Sequence, residues 1–184
     1  LVMSGGTALW AMACWVVLRE RHWSLRLGVS AVFAVALFFC HLSSLGVYGV
    51  GLLAIESHRL WLRRHEPLPM RLVDFCATGI PFLPAIPLLM ASPTLGLADQ
   101  YYWERLGKID GLIYVIQCYS DIVALALISL IVAGAVWTVR HRLLRIHPLF
   151  WVLLGISAAV YLAMPRVLFA TYMGDQRLPI AFVF

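Results

Sequence analysis

Apolar residues fill this chain in long runs, and short arginine-bearing segments separate them. The first run, about Leu1–Leu18, ends at Arg19, Arg21 and Arg26 around His22 and Trp23. The runs Leu27–Cys40 and Leu45–Ile55 follow, joined by a weak turn at His41–Ser44, and then a basic segment, His58–Arg71, holding Pro67 and Pro69. A fourth apolar stretch, Leu72–Ala91, carries Pro81, Pro84 and Pro87. Proline removes a backbone donor and crowds the preceding turn, so a helix there is expected to be kinked or broken. Ser92–Asp110 is the longest polar segment. Apolar runs resume at about Leu112–Val139, before Arg140, Arg142 and Arg145, and at Pro148–Met164. A polar loop, Pro165–Arg177, leads to a further apolar start at Leu178.

The almost uncharged stretch Leu25–Trp61 decides the topology. A hydrocarbon core is crossed by about 20 helical residues, so this stretch is long for one span and barely long enough for two. As one helix it would place its basic flanks on opposite sides of a membrane. As a hairpin turning near His41-Leu42-Ser43-Ser44 it places them on one side. The hairpin puts ten of the Lys and Arg residues inside (Arg19, Arg21, Arg26, Arg59, Arg63, Arg64, Arg71, Arg140, Arg142, Arg145) and four outside (Arg105, Lys108, Arg166, Arg177). The single helix destroys that asymmetry, so the positive-inside rule chooses the hairpin. Its expected cost is two short helices, accommodated by tilt or local thinning.

Composition points the same way. The chain is 62% hydrophobic and 12% charged, with a mean hydropathy of +0.89, against roughly one-quarter charged residues in soluble domains. The expected fold is therefore all-α: a polytopic transmembrane helix bundle of six spans plus the start of a seventh, forming one domain over residues 1–184. The net charge of +5 lies in short loops between spans, which argues against nucleic acid as a partner. Cys14, Cys40, Cys76 and Cys118 lie singly in apolar runs without metal-ligand spacing, as small packing residues do. The chain opens and closes within apolar runs, so it is expected to be an internal piece of a longer polytopic protein. The opening run lacks a preceding basic region, and no cleavable signal peptide is expected.

Candidate chemistry concentrates on the outer side. Tyr101-Tyr102-Trp103-Glu104-Arg105-Leu106-Gly107-Lys108-Ile109-Asp110 mixes aromatic and charged residues, as an interfacial helix with an aromatic belt would. The sharper alternative is a platform for a lipid-linked substrate, with Lys108 and Arg105 on phosphate and aromatics stacked on sugar. The second outer loop offers Arg166, Asp175 and Arg177 to the same task, or an Asp–Arg pair capping the last span. Within the fifth span, Gln117, Ser120 and Asp121 fall on one helical face near Tyr114 and Tyr119. They suit either a proton-handling Asp121 or an interhelical hydrogen-bond cluster. His41 is either a proton-transfer group or lipid-phosphate ligand, or the side chain that satisfies backbone at a tight turn with Ser43 and Ser44.

On the inner side, Glu56 and Asp74 lie near span ends close to Arg59 and Arg71, where interfacial ion pairing accounts for both. Gly46, Gly49 and Gly51 suggest a close helix contact, since no phosphate-cradling motif is present.

At His41 through Glu56, and again at Asp175-Gln176-Arg177-Leu178-Pro179, the chain resembles large bacterial inner-membrane proteins similar to the GT-C superfamily of polytopic glycosyltransferases. The resemblance covers most of the chain through loose motifs. It implies a polyprenyl-phosphate sugar donor used on the outer face and a catalytic acidic residue in a first outer loop near the N-terminus. No such loop is visible here, so no catalytic residue is carried over. The expected function is part of a GT-C-like glycosyltransferase in a bacterial inner membrane, with membrane lipids and other membrane subunits as partners. No cofactor or metal is implied. Lys108, Arg105, Arg166 and Arg177 would contact phosphate or headgroups, and Asp121 and His41 would line the lipid-facing cavity. Two other classes stand beside it. One is a proton-coupled transporter using the proline-broken span and Asp121; the other is a non-catalytic structural subunit of a membrane complex.

Overall fold

The computed structural model describes residues 2–92, 121–141 and 147–164. They form seven α-helices with no strand among the described residues: α1 Val2–Val17, α2 Trp23–Cys40, α3 Leu42–Leu62, α4 Leu68–Cys76, α5 Ala85–Met90, α6 Asp121–Arg140 and α7 Pro148–Ala163. A 3-10 turn, Leu18–Glu20, extends α1, and another, Ala77–Phe82, joins α4 to α5. The described residues are all-α, as expected.

Helices α1, α2 and α3 pack together around one core. Ala8, Ala11 and Trp15 recur at helical spacing on α1, Ala34 and Leu37 on α2, and Val47, Tyr48 and Leu52 on α3. Small residues let the backbones approach. Of the three glycines expected to mark a close contact, Gly51 does so, because a Cβ there would run into the side chain of Met12 on α1. Gly49 meets only the Phe82 ring, at 3.7 Å, and Gly46 meets nothing.

The hairpin turn falls at His41. Its backbone is extended (φ −172°, ψ 123°), which ends α2 and lets α3 start at Leu42. The His41 N–H donates to the Leu37 carbonyl at 2.8 Å, and its own carbonyl accepts from the Ser44 N–H at 2.9 Å. The two helices then run back along each other, bringing Arg26 near the start of α2 against Glu56 near the end of α3. That contact is incompatible with one continuous helix. The helices are also longer than their apolar runs, at 18 and 21 residues, or about 27 and 31 Å at 1.5 Å per residue. The expectation of two short helices is thereby corrected: each extends into polar sequence by pairing its charges.

Prolines divide the fourth apolar stretch as expected. Pro67 caps α4, Pro81 lies inside the 3-10 turn, Pro84 caps α5 and Pro87 falls in its first turn. Helix α7 packs against α3 and begins at His147, whose Nδ1 accepts from the Leu149 N–H at 3.2 Å. The His147 and His58 rings are 5.5 Å apart, so the start of α7 lies near the end of α3 that carries Glu56.

The bundle has an apolar surface as well as an apolar core, and it buries charge, unlike a typical soluble bundle. Trp10, Val17, Val32 and Phe39 face outward and Ile122 on α6 is 81% exposed, whereas Arg26, Ser30, Ser44, Glu56 and His58 are buried. Ser129 and Thr138 turn their hydroxyls back onto carbonyls of α6 itself. Among the described residues one helix, Trp23–Cys40, is both long and apolar enough to cross a membrane.

Candidate functional site

Glu56 follows Tyr48 and Leu52 at four-residue steps, so it lies on the face of α3 that packs against α1 and α2. A carboxylate carried into that contact needs partners, since an uncompensated buried charge costs several kcal/mol. Four arrive from three parts of the chain. The Trp15 indole N–H donates to Glu56 Oε1 at 2.9 Å, and Arg26 donates to the same oxygen at 3.0 Å. Arg19 forms a close ion pair with that oxygen, and Arg59 reaches Oε2 at 3.4 Å. The Arg26 guanidinium also stacks on the Trp15 ring, 3.5 Å from its centroid.

The network continues through Asp74 on α4, which accepts from Arg63 at 2.7 Å and lies 4.0 Å from Arg59. Arg63 grips Glu66 through Nε at 2.7 Å and a terminal nitrogen at 2.6 Å, a two-bond fork. Hydrogen bonding to Glu66, then to Asp74, holds the Arg63 guanidinium above its ordinary pKa. Arg71 donates to the carbonyls of Leu60 and Arg64. Glu56, Arg59, Leu60, Arg63, Arg71, Asp74 and Phe75 surround a gap of about 10 Å³, room for one water at most.

Chemically, this network fixes charge. The Glu56 carboxylate is surrounded by an indole N–H and guanidiniums, none of which gives up its proton in ordinary chemistry. The arrangement therefore holds a carboxylate in place and presents arginines around it, and none of its Glu56 contacts among the described residues is a proton-transfer partner.

The sequence-predicted site residues lie elsewhere. Lys108, Arg105, Arg166 and Arg177 lie outside the described residues, as do Tyr114, Gln117, Tyr119 and Ser120. Asp121 is the first described residue of α6, with its side chain outside the description. His41 lies at the opposite end of α2 from Arg26, about 22 Å away along the helix. Its Nδ1 accepts from the Ser43 N–H at 3.4 Å and lies 2.9 Å from the Ser43 hydroxyl. The turn-satisfying role is the one its contacts fill.

Glu56 does pair with Arg59, but sequence reasoning missed Trp15, Arg19 and Arg26. The signal was present, because the hairpin topology already brings Arg19 and Arg26 to the side where α3 ends. The expected neighbourhood of Asp74 is half right: Arg59 is near, while Arg71 turns to backbone carbonyls and Arg63 takes the close contact. No family model, curated protein or solved structure matches this chain.

Proposed function

We propose that this chain is a polytopic integral membrane bundle of six spans plus the start of a seventh, with its arginine-rich end inside. We further propose that it forms part of a GT-C-like glycosyltransferase handling a lipid-linked sugar at the opposite, outer end. The observation that carries the membrane reading is the apolar surface of the bundle. Large apolar side chains such as Trp10, Val32 and Phe39 point outward while Arg26 and Glu56 pair inside. Water penalises that arrangement and lipid rewards it. The orientation is supported by the convergence of the first two basic segments on Glu56, with His147 beside His58 at the end of the third.

In this reading the outer loops hold the substrate, with Arg105, Lys108, Arg166 and Arg177 on phosphate and Asp121 and His41 toward the lipid-facing cavity. Native mass spectrometry of the full-length protein tests it. A bound polyprenyl-phosphate or its sugar adduct, lost in Lys108→Ala, supports the glycosyltransferase. Bulk phospholipid alone, unchanged by that substitution, sinks it. A proton-coupled carrier is the second reading, favoured by the division of Leu68–Met90 into two α-helices and a 3-10 turn, since carriers bind at interrupted helices. It requires that Asp121→Asn abolish flux in proteoliposomes.

A further inference from the structure

Among the described residues, the arginines at the basic end of the bundle outnumber the carboxylates paired with them. Arg19, Arg26, Arg59, Arg63 and Arg71 converge there; the carboxylates ion-paired with them among the described residues are Glu56, Glu66 and Asp74, and Glu20 lies beside Arg19 in the Leu18–Glu20 turn. Glu56 Oε1 already accepts from Trp15, Arg19 and Arg26, and its single charge is shared among Arg19, Arg26 and Arg59. The Nε groups of Arg19, Arg26 and Arg71 are buried with no hydrogen-bond acceptor among the described residues. Such donors are costly to leave unmade, above all on cations.

The cluster also has a floor and a rim. The side chains of Glu56 and Arg26 are 3% and 6% exposed and form the floor. Arg19 and Arg59, at 26% and 24%, open toward solvent around it. Arg59 is held loosely, with its two carboxylates at 3.4 and 4.0 Å, so its fork is available to a better acceptor. The Arg21 side chain, exposed two residues beyond Arg19, makes no ion pair or hydrogen bond with the described residues. Every cation of this end is arginine, whose planar donors match a phosphate with two bonds where lysine gives a point charge.

We propose that Arg19 and Arg59, backed by Arg26, form a binding site for a phosphate group at the basic end. The site lies at the opposite end from the outer-loop substrate reading and does not depend on it. The water-sized gap beside Arg71 is too small for phosphate, so the ligand sits on the rim. The chemistry is that of a phosphate ester, supplied either by the headgroup of an anionic lipid or by a free phosphate compound. Binding adds negative charge and links the end of α1, through Arg19, to the end of α3, through Arg59.

The test compares melting of the full-length protein in nanodiscs of neutral phosphatidylcholine, with and without phosphatidylglycerol, and in neutral nanodiscs with millimolar inorganic phosphate. Stabilisation by phosphatidylglycerol alone assigns a lipid headgroup; stabilisation by inorganic phosphate as well assigns a free phosphate ligand. Either outcome supports the site if Arg19→Gln and Arg59→Gln each weaken the titrated effect about tenfold, the loss of one charge-assisted contact. Arg64→Gln, at an arginine beside Trp61 that does not touch Glu56, must leave it intact. Should Arg59→Gln not fold, Arg59→Lys keeps the charge, loses the fork and still weakens binding. Equal weakening in all variants, Arg64→Gln included, means diffuse surface charge and overturns the site. So does the absence of any effect of anionic lipid and phosphate.

Discussion

At the turn end of the α2–α3 hairpin, the polar side chain is satisfied within the turn itself; at the basic end the buried carboxylate is satisfied from across the chain. His41 uses its own backbone and Ser43 to close the break between the helices. Glu56 draws on Trp15 of α1, Arg19 beyond it, Arg26 of α2 and Arg59 of its own helix. Both ends solve the same problem, which is unpaired polarity where apolar helices stop. They differ in what depends on the solution. A local solution holds one turn, whereas a shared one holds helices to each other.

Substitution at the shared centre is expected to have the largest effect. Glu56→Gln preserves shape but leaves Arg19, Arg26 and Arg59 around a neutral group. Breaking a buried ion pair from one side costs about 3–5 kcal/mol. Thermal and denaturant unfolding in detergent should show that loss, with the packing of α1 on α3 affected as well as α3 itself. A loss below about 1 kcal/mol, the size of an exposed pair, would show that the end is not a shared anchor.

The turn end should respond less and in a way that separates two roles for His41. His41→Ala removes a cap and should cost about 1 kcal/mol. His41→Asn keeps an acceptor that can reach the Ser43 N–H, so it should restore most of that stability. If His41 also handles protons or phosphate, the Asn variant will melt like the parent yet lose activity. If both stability and activity return, the contacts to Ser43 are its whole role.

How far these two ends can be read from sequence depends on the distance over which their groups pair. The break at His41 follows from a short polar interruption between apolar runs, and its partner Ser43 is two residues away. The breaks at Pro81, Pro84 and Pro87 are equally local, because proline acts on its own backbone. Glu56 is different. Its pairing with Arg59 is visible as an i, i+3 neighbour, but its partners Trp15 and Arg19 become neighbours only after α1 has packed against α3. Charge counting brought Arg19 and Arg26 to the same end without showing which carboxylate they share, and it carried no signal for Trp15. Of the two arginines expected near Glu56 and Asp74, Arg59 meets both carboxylates, while Arg71, on α4 after a proline-capped turn, donates to the carbonyls of Leu60 and Arg64.

The smallest effect belongs to the outer margin of the basic end, where Arg63 bridges Glu66 and Asp74 at one-third exposure. Removing it by Arg63→Gln should cost under about 1 kcal/mol, and added salt should shrink the difference from the parent further. Its pH response has a defined sign. Its pKa is raised by Glu66 and Asp74, so its contribution is fully present below the ordinary arginine value and is lost only as pH rises through the higher folded one. Raising pH from about 7 to about 9 stays well below both, so the difference between parent and Arg63→Gln should not change over that range. A salt-sensitive, pH-insensitive increment at Arg63, set against a large loss at Glu56 that salt hardly alters, would show that burial divides the cluster into an anchor and a margin. A loss at Arg63 as large and as salt-resistant as that at Glu56 would mean that the two carboxylate centres act as one unit through Arg59.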